Sequence, residues 1–180
     1  MIGSELRAKY THRFHTQDTD GDGFVDRQDV AARAEMLLAG LGEQADSARG
    51  ASVIDGATAY WQGVAKLAGI AEEGRLTEGE FVEALVRANE LGTIADLLRP
   101  SVEAHVTLVD TDGDGTVSLE EFVRAQQAVG MSEDEASAAF DALDRNGDGN
   151  LTVEEWQQAV LEFYTTTDPS APGNLVMGLR

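Results

Sequence analysis

The sequence contains no cysteine and few basic residues. Without cysteine among its 180 residues, the chain has neither disulfide bonds nor thiolate metal ligands, which fits a reducing compartment such as the cytoplasm. Only 13 Lys and Arg oppose 33 Asp and Glu, so the formal net charge is −20. Because nucleic acids and anionic membranes are bound through clustered basic side chains, this balance argues against both as partners.

The sequence also has no long apolar segment. No run approaches the ~18 residues of a transmembrane helix, and we expect no secretory signal because the first residues lack an apolar core. At 42% hydrophobic residues, however, the chain is apolar enough to fold as one large domain or two small lobes. We therefore expect a soluble, cytoplasmic protein.

The acidic residues are concentrated in three windows of 12 residues. These windows start at Asp18, Asp110 and Asp144, hold 14 of the 33 acidic residues and carry a net charge of −12. They read DTDGDGFVDRQD, DTDGDGTVSLEE and DRNGDGNLTVEE, and each fits the calcium-loop pattern D-x-[DN]-x-[DN]-G-x₅-[DE]. Solvated acidic turns would explain clustered charge, but they would not require the same spacing three times.

Each loop offers oxygen atoms from fixed positions to a hard cation. Side chains at positions 1, 3 and 5 point at one centre, and the glycine at position 6 allows a sharp turn. Position 7 offers its backbone carbonyl, position 9 holds a bridging water, and position 12 supplies a distal carboxylate. The predicted metal ligands are Asp18, Asp20, Asp22, Phe24, Asp26 and Asp29; Asp110, Asp112, Asp114, Thr116, Ser118 and Glu121; and Asp144, Asn146, Asp148, Asn150, Thr152 and Glu155.

The first loop differs from the other two at its last position. Asp29 is one methylene shorter than Glu121 and Glu155, so we expect it to reach the ion with one oxygen instead of two. Fewer oxygens at shorter range favour octahedral Mg²⁺ over seven-coordinate Ca²⁺. We predict that this site is weaker for Ca²⁺ or accepts both ions, although the five acids of the loop act in the opposite direction.

Apolar residues spaced three or four apart predict helices on both sides of each loop. One such stripe, Val102, Val106 and Val109, follows Pro100, which we expect in the first turn of its helix. The loops that start at Asp110 and Asp144 are 34 residues apart, a spacing typical of paired helix–loop–helix units.

A degenerate loop is the predicted partner of the first loop. Phe81 stands where an aromatic residue follows the two C-terminal loops. Counting back from it makes Glu80 position 12 and places Gly69, Ala71 and Glu73 at positions 1, 3 and 5, so two of three oxygens are missing. We predict a unit that pairs structurally without binding Ca²⁺; an unrelated helical hairpin is the alternative.

Three connecting segments complete the chain. Segment 40–57 is a Gly-, Ala- and Ser-rich join, and segment 89–99 is expected to be a packed connection. The polar tail after Tyr164 either docks through its last apolar residues or stays loose. The predicted units are an N-terminal pair at 1–92, a C-terminal pair at 93–165 and a tail at 166–180.

The order of a long first unit, a degenerate second unit and intact third and fourth units resembles the family of calerythrin and the sarcoplasmic calcium-binding proteins. The resemblance extends from about Arg7 to Tyr164. It implies an all-α fold in which four EF-hand helix–loop–helix units form two pairs packed into one compact globule. It also implies a bacterial, cytosolic Ca²⁺-binding protein without enzymatic activity.

A monomeric Ca²⁺ buffer or carrier with three sites is the leading hypothesis for function. Only four methionines are present, which leaves little for the adaptable Met-rich groove of a sensor. A sensor with a groove of Leu and Phe, acting on a protein target, is the alternative.

Two further classes of function are less well supported. A ligand carrier resembling the coelenterazine photoproteins would need a lined cavity; this chain has three His, two Trp and three Tyr, and ends in Arg180 where those proteins have proline. An enzyme is not expected, because the sequence has no nucleophile elbow, phosphate loop or HExxH motif, and His12, His15 and His105 suit surface or packed positions.

Overall fold

The computed structural model describes residues 2–179, and it shows helices joined by very short strands. The elements are α1 (Ser4–Gln17), β1 (Phe24–Asp26), α2 (Arg27–Leu41), α3 (Ala48–Ala68), β2 (Arg75–Thr77), α4 (Glu78–Glu90), α5 (Ile94–Val109), β3 (Thr116–Ser118), α6 (Leu119–Ala128), α7 (Glu133–Leu143), β4 (Asn150–Thr152), α8 (Val153–Thr165) and α9 (Pro172–Val176). Each strand lies between two helices, so four helix–loop–helix units follow one another. The predicted all-α fold is confirmed, whereas Met1 and Arg180 lie outside the described residues.

The units form pairs through two antiparallel ribbons of three residues per strand. Strand β1 pairs with β2 and places Val25 opposite Leu76, and β3 pairs with β4 and places Val117 opposite Leu151. All four of these side chains, at position 8 of their loops, are fully buried. The degenerate second unit is therefore the structural partner of the first, as predicted.

One hydrophobic core extends through both pairs of units. It runs from Leu6 and Tyr10 in α1 to Phe163 and Tyr164 in α8. Helix α3 of the first pair packs against α5 of the second, and the backbones approach closely where Gly56 meets Pro100. The absence of a side chain on Gly56 permits this approach, so the two pairs form one globule.

Pro100 lies inside helix α5 and not in its first turn, so that prediction was wrong. The helix begins at Ile94, and the buried Ile94, Leu97 and Leu98 extend the apolar stripe upstream of the proline. Proline has no N–H to donate within the helix, but burial of these three side chains stabilises the turns before it. The segment expected to be a packed connection is therefore largely the start of α5.

Segment 40–57 is mostly helical, which differs from the join expected there. Helix α2 continues to Leu41, and α3 begins at Ala48 after Ser47, whose hydroxyl accepts a hydrogen bond from the Gly50 N–H at 2.9 Å. A capping serine and several alanines favour a helix over an open loop. The residues added between the first two loops therefore lengthen α3 to 21 residues.

The C-terminal tail docks on the globule. Ala171 and Asn174 are buried, and the α-carbon of Gly173 lies against the Ala159 carbonyl of α8. Lys9 donates a hydrogen bond to the Thr166 carbonyl at 2.8 Å, which joins the start of the tail to α1. The apolar residues Val176, Met177 and Leu179 pack against the core, whereas Leu175 is exposed.

None of the helices between residues 2 and 179 is long and apolar enough to cross a membrane.

We predict that Gly56→Ala lowers the free energy of unfolding of the Ca²⁺-loaded protein. A Cβ atom at this position would lie 2.8 Å from the Pro100 carbonyl oxygen and 3.1 Å from the Ser101 Cα, and relieving such overpacking costs about 1–3 kcal/mol. Gly79→Ala is the control, because a Cβ there has nothing within 4 Å. Chemical denaturation measures both variants; equal stability of the two would contradict the close contact between α3 and α5.

Candidate metal centres

Acidic oxygens converge in the first and third loops. The carboxylate oxygens of Asp18, Asp20 and Asp22 lie within 4.8 Å of one another, and so do those of the corresponding residues in the loop that starts at Asp110. Two ligands on opposite sides of a Ca²⁺ ion are separated by about 4.8 Å, because each Ca–O distance is about 2.4 Å. Both clusters therefore fit a single hard cation.

The three acidic loops share one backbone conformation. In the first loop, Asp18 caps the end of α1, and its two carboxylate oxygens accept hydrogen bonds from Gly21 N–H at 2.9 Å and Gly23 N–H at 3.1 Å. Asp110 and Asp144 accept from the matching glycines at 2.7–3.0 Å. The glycines at positions 4 and 6 have positive φ in all three loops, which places side chains 1, 3 and 5 around one centre.

The last loop holds an amide in place of one carboxylate. The Asn146 Oδ1 accepts from the Asp148 N–H at 2.8 Å, and its Nδ2 donates to Glu155 Oε1 at 3.3 Å. An amide oxygen is a suitable Ca²⁺ ligand and adds no repulsion to the neighbouring carboxylates. This loop therefore keeps its conformation with one negative charge fewer at position 3.

Positions 9 and 12 have a structural role that the sequence reasoning missed. Ser118 at position 9 is the N-cap of α6, and the Glu121 carboxylate accepts from its N–H at 3.0 Å and its hydroxyl at 2.9 Å. Capping boxes of the same kind begin α2, α4 and α8. The pattern [ST]-x-x-E at the start of α4, α6 and α8, replaced by D-x-x-D at α2, was the available signal. Position 7 of each acidic loop, Phe24, Thr116 or Asn150, begins a ribbon strand.

In the first and third loops, the position 12 carboxylates Asp29 and Glu121 are not members of the oxygen clusters formed by positions 1, 3 and 5. Glu121 Oε1 instead accepts from the Thr111 N–H and hydroxyl, both at 2.7 Å. Burial acts to raise the pKa of Glu121, but the hydrogen bonds from Ser118 and Thr111 outweigh it and lower that pKa to about 2. This carboxylate is therefore ionised at neutral pH. It lies beside the loop, where a bound cation would attract it.

Asp29 is the buried member of the position 12 group. It is 6% exposed, its Oδ1 accepts from the Thr19 N–H at 2.9 Å and the Thr19 hydroxyl at 2.8 Å, and its Oδ2 accepts from the Asp26 N–H at 3.0 Å. Both oxygens are thus occupied by protein donors. To bind a metal ion, Asp29 would have to give up those hydrogen bonds. Its side chain is shorter than that of glutamate, so it extends less far towards the ion.

The second loop is held by protein contacts in place of acidic ligands. Gly69 at position 1 has no side chain, so it cannot accept the hydrogen bonds that shape the acidic loops. The Trp61 indole N–H donates to the Glu72 carbonyl at 2.7 Å across this loop. Hydrogen bonds from Thr77 lower the pKa of Glu80 and hold its carboxylate in the helix cap. The loop is degenerate as a cation site but intact as a ribbon partner.

A cationic side chain from the degenerate loop reaches the first acidic loop. Arg75 Nη1 lies 3.6 Å from Asp22 Oδ2, and the guanidinium carbon lies 3.9 Å from the centre of the Phe24 ring. The ribbon places Arg75 opposite Asp26. Arg75 therefore partly neutralises the charge that would attract a cation to the first loop.

The chain is similar to known calcium-binding proteins. A family model described as EF hand matches residues 108–125 and 137–161. Calerythrin of Saccharopolyspora erythraea is 31% identical over 155 residues, which cover 84% of this chain and 88% of calerythrin. The luciferin-binding protein of Renilla reniformis is 29% identical, with 94% of this chain and 91% of the relative covered.

A solved structure of a Streptomyces coelicolor calcium-binding protein is also similar. It is 38% identical, has a TM-score of 0.76 and matches over 89% of this chain and 98% of its own. That structure is described as a basis for prokaryotic calcium-mediated regulation. The similarity in fold therefore extends over both pairs of helix–loop–helix units.

We predict that Arg75→Gln raises the divalent-cation affinity of the first loop. Loss of a positive charge near Asp22 removes a repulsion that acts on the incoming ion, and at a solvent-exposed position we expect a gain of roughly twofold to fivefold. Arg99→Gln is the control, because Arg99 pairs with Asp96 on a helix away from the loops. Calorimetric titration at low and high salt measures the effect, which should shrink as salt is added; an unchanged affinity at low salt would show that Arg75 does not affect the site.

Proposed function

This chain belongs to the calerythrin family of EF-hand calcium-binding proteins, and we propose that it is a cytoplasmic, monomeric Ca²⁺ buffer with three metal sites and no enzymatic activity. The sites are the loops that begin at Asp18, Asp110 and Asp144. The observation that carries the proposal is their shared conformation, in which the position 1 carboxylate is fixed by two glycine N–H groups.

The proposed mechanism is the neutralisation of fixed negative charge. Each loop holds ionised oxygens close together, so an ion that enters replaces repulsion with attraction. The position 12 carboxylate would turn from its hydrogen bonds with the loop to complete the ligand set. Because that residue also caps the exiting helix, binding and the order of the helix terminus are coupled.

The first site is proposed to bind Ca²⁺ more weakly than the others, or to accept Mg²⁺ as well. Two observations support this: the Asp29 side chain is shorter than glutamate and buried, and Arg75 lies near Asp22. The five acidic residues of the loop act in the opposite direction. A site with fewer protein oxygens at short range suits the octahedral shell of Mg²⁺.

A sensor is the second candidate function. It is favoured by the 38% identical Streptomyces coelicolor protein, whose structure is described in terms of calcium-mediated regulation. The buffer is favoured by the methionines, because among the described residues Met36 is exposed whereas Met131 and Met177 pack against the core. The large exposed hydrophobic residues are similarly dispersed along the described sequence: Met36, Leu91, Leu119 and Leu175.

We predict that calorimetry of the metal-free protein with Ca²⁺ gives three sites per chain. Glu121→Gln and Glu155→Gln should each reduce this number to two, because an amide supplies one weak oxygen where the carboxylate supplies two charged ones. Glu80→Gln is the matched control, since the same substitution at position 12 of the degenerate loop should leave three sites. Fewer than three sites in the Glu80 variant, or three sites in either of the others, would refute this assignment.

A parallel Ca²⁺ titration in the presence of Mg²⁺ tests the first site, which should lose more Ca²⁺ affinity than the other two.

We predict that a fluorescent dye specific for exposed apolar surface binds equally to the Ca²⁺-loaded and Mg²⁺-loaded protein. A buffer fills its loops without opening a groove, whereas a sensor exposes apolar surface in the Ca²⁺ form. The metal-free protein is expected to bind the most dye and to melt at a lower temperature, because unneutralised loop acids repel one another. A clear excess of dye on the Ca²⁺ form would favour the sensor.

A further inference from the structure

A cavity of about 160 Å³ lies within the globule, between the two pairs of units. Side chains from α1, α2, α3, α5 and α8 line it, and Val176 and Met177 of the tail contribute to one wall. An apolar cavity of about 150 Å³ in another protein accommodates benzene. The space in this chain is therefore large enough for a molecule the size of a single aromatic ring.

Two arginine side chains contribute positive charge to the wall of this cavity. Arg33 Nη1 donates to the Thr16 carbonyl at 2.9 Å, and Arg13 Nη1 donates to the Thr16 hydroxyl at 3.4 Å, so the two guanidinium groups converge on one residue. Within residues 2–179, neither arginine forms an ion pair with a carboxylate. Two like charges thus lie near each other with no carboxylate partner among residues 2–179, in a protein whose net charge is −20.

The pKa values of the surrounding groups reflect burial first and this positive charge second. Burial and, second, the charge of the neighbouring Arg13 lower the pKa of Arg33 to about 10. Burial, followed by the charges of Arg33 and Arg13, lowers the pKa of His105 to about 4. His105 is therefore neutral at pH 7 and adds no charge of its own to the cavity.

Several buried polar atoms around the cavity also lack a partner. Tyr60, Tyr164 and Gln17 are at most 3% exposed; Arg13 lies beside both phenols and Gln17 beside Tyr60, but neither phenol hydroxyl nor the Gln17 Oε1 makes a well-formed hydrogen bond within the described chain. The Arg13 Nε and the His105 Nε2 are likewise without partners there. Buried polar atoms are seldom left without a well-formed hydrogen bond, so five of them around one cavity favour a polar occupant, whether water or a ligand.

The remaining wall of the cavity is apolar and aromatic. Trp156 is 2% exposed, and its ring lies 5.2 Å from the His105 ring. Val30, Val53 and Leu98 add aliphatic surface. A ligand that matches both the arginine wall and the apolar, aromatic wall of the cavity would combine an anionic group with a flat apolar body.

We propose that this cavity binds a small aromatic carboxylate, with the carboxylate held by Arg13 and Arg33 and the ring packed on Trp156. The phenol hydroxyls of Tyr60 and Tyr164 are additional donors to the same carboxylate. The site is separate from the acidic loops, so the proposal goes beyond calcium binding and does not depend on the number of metal sites.

The first experiment compares three probes on the full-length, Ca²⁺-saturated protein. Benzoate carries both the ring and the carboxylate, benzyl alcohol keeps the ring without the charge, and inorganic phosphate is an anion without a ring. Because hydrogen bonds to charged groups are among the stronger ones, benzoate should bind at least about tenfold more tightly than benzyl alcohol. Calorimetry and quenching of tryptophan fluorescence measure this, and phosphate should leave both signals unchanged.

Three results of this comparison would overturn the proposal. Undetectable binding of benzoate at millimolar concentration would mean that water fills the cavity. Equal affinity for benzoate and benzyl alcohol would exclude the role given to the arginines. Binding of phosphate as tight as that of benzoate would indicate a site for inorganic anions.

The second experiment removes the charges from the cavity one at a time. Arg13→Gln and Arg33→Gln should each weaken benzoate binding by about tenfold, while Arg99→Gln, an exposed arginine outside the cavity, should leave it unchanged. Tyr60→Phe removes a single hydroxyl and should weaken binding to a smaller extent without loss of fold. The Ca²⁺ stoichiometry of every variant verifies its folding, and wild-type affinity in both folded cavity arginine variants would refute the proposal.

Discussion

The pairing of loops through three-residue ribbons is the constraint on which the rest of this structure depends. Val25 opposite Leu76 and Val117 opposite Leu151 bury one apolar side chain from each loop at the centre of a pair. A single acidic loop has little apolar surface of its own, so it needs a partner to fix its position. This explains why the second unit keeps Leu76 and its helix cap although its acidic ligands are absent.

The protein separates its charges in space. The negative charge is concentrated in solvent-accessible loops, where backbone N–H groups already bind the first aspartate of each loop. Positive charge occurs inside, at Arg13 and Arg33, on the helices that enter and leave the first loop. The same two helices, α1 and α2, therefore contribute both to the first loop and to the wall of the cavity.

Much of the fold followed from local patterns, and the failures have a common cause. Helices, loops and the degenerate second unit were predicted from spacing alone, since a turn that gathers oxygens around one ion tolerates few alternatives. The position of Pro100 within α5 and the full length of α3 were not predicted correctly. Proline and a Gly-rich composition are local signals for the end of a helix, and they suggested interruptions in both helices. Burial against the opposite pair decided in favour of continuous helices.

The sequence by itself determined the three acidic loops and the family, because the spacing of the candidate ligands is contained within 12 consecutive residues. Tertiary structure alone decided the close packing at Gly56, the docking of the tail, the approach of Arg75 to Asp22 and the gathering of Arg13, Arg33 and His105 around one cavity. These features join residues that are distant along the chain. Their proximity arises only when both pairs fold into one core, and no local periodicity records it.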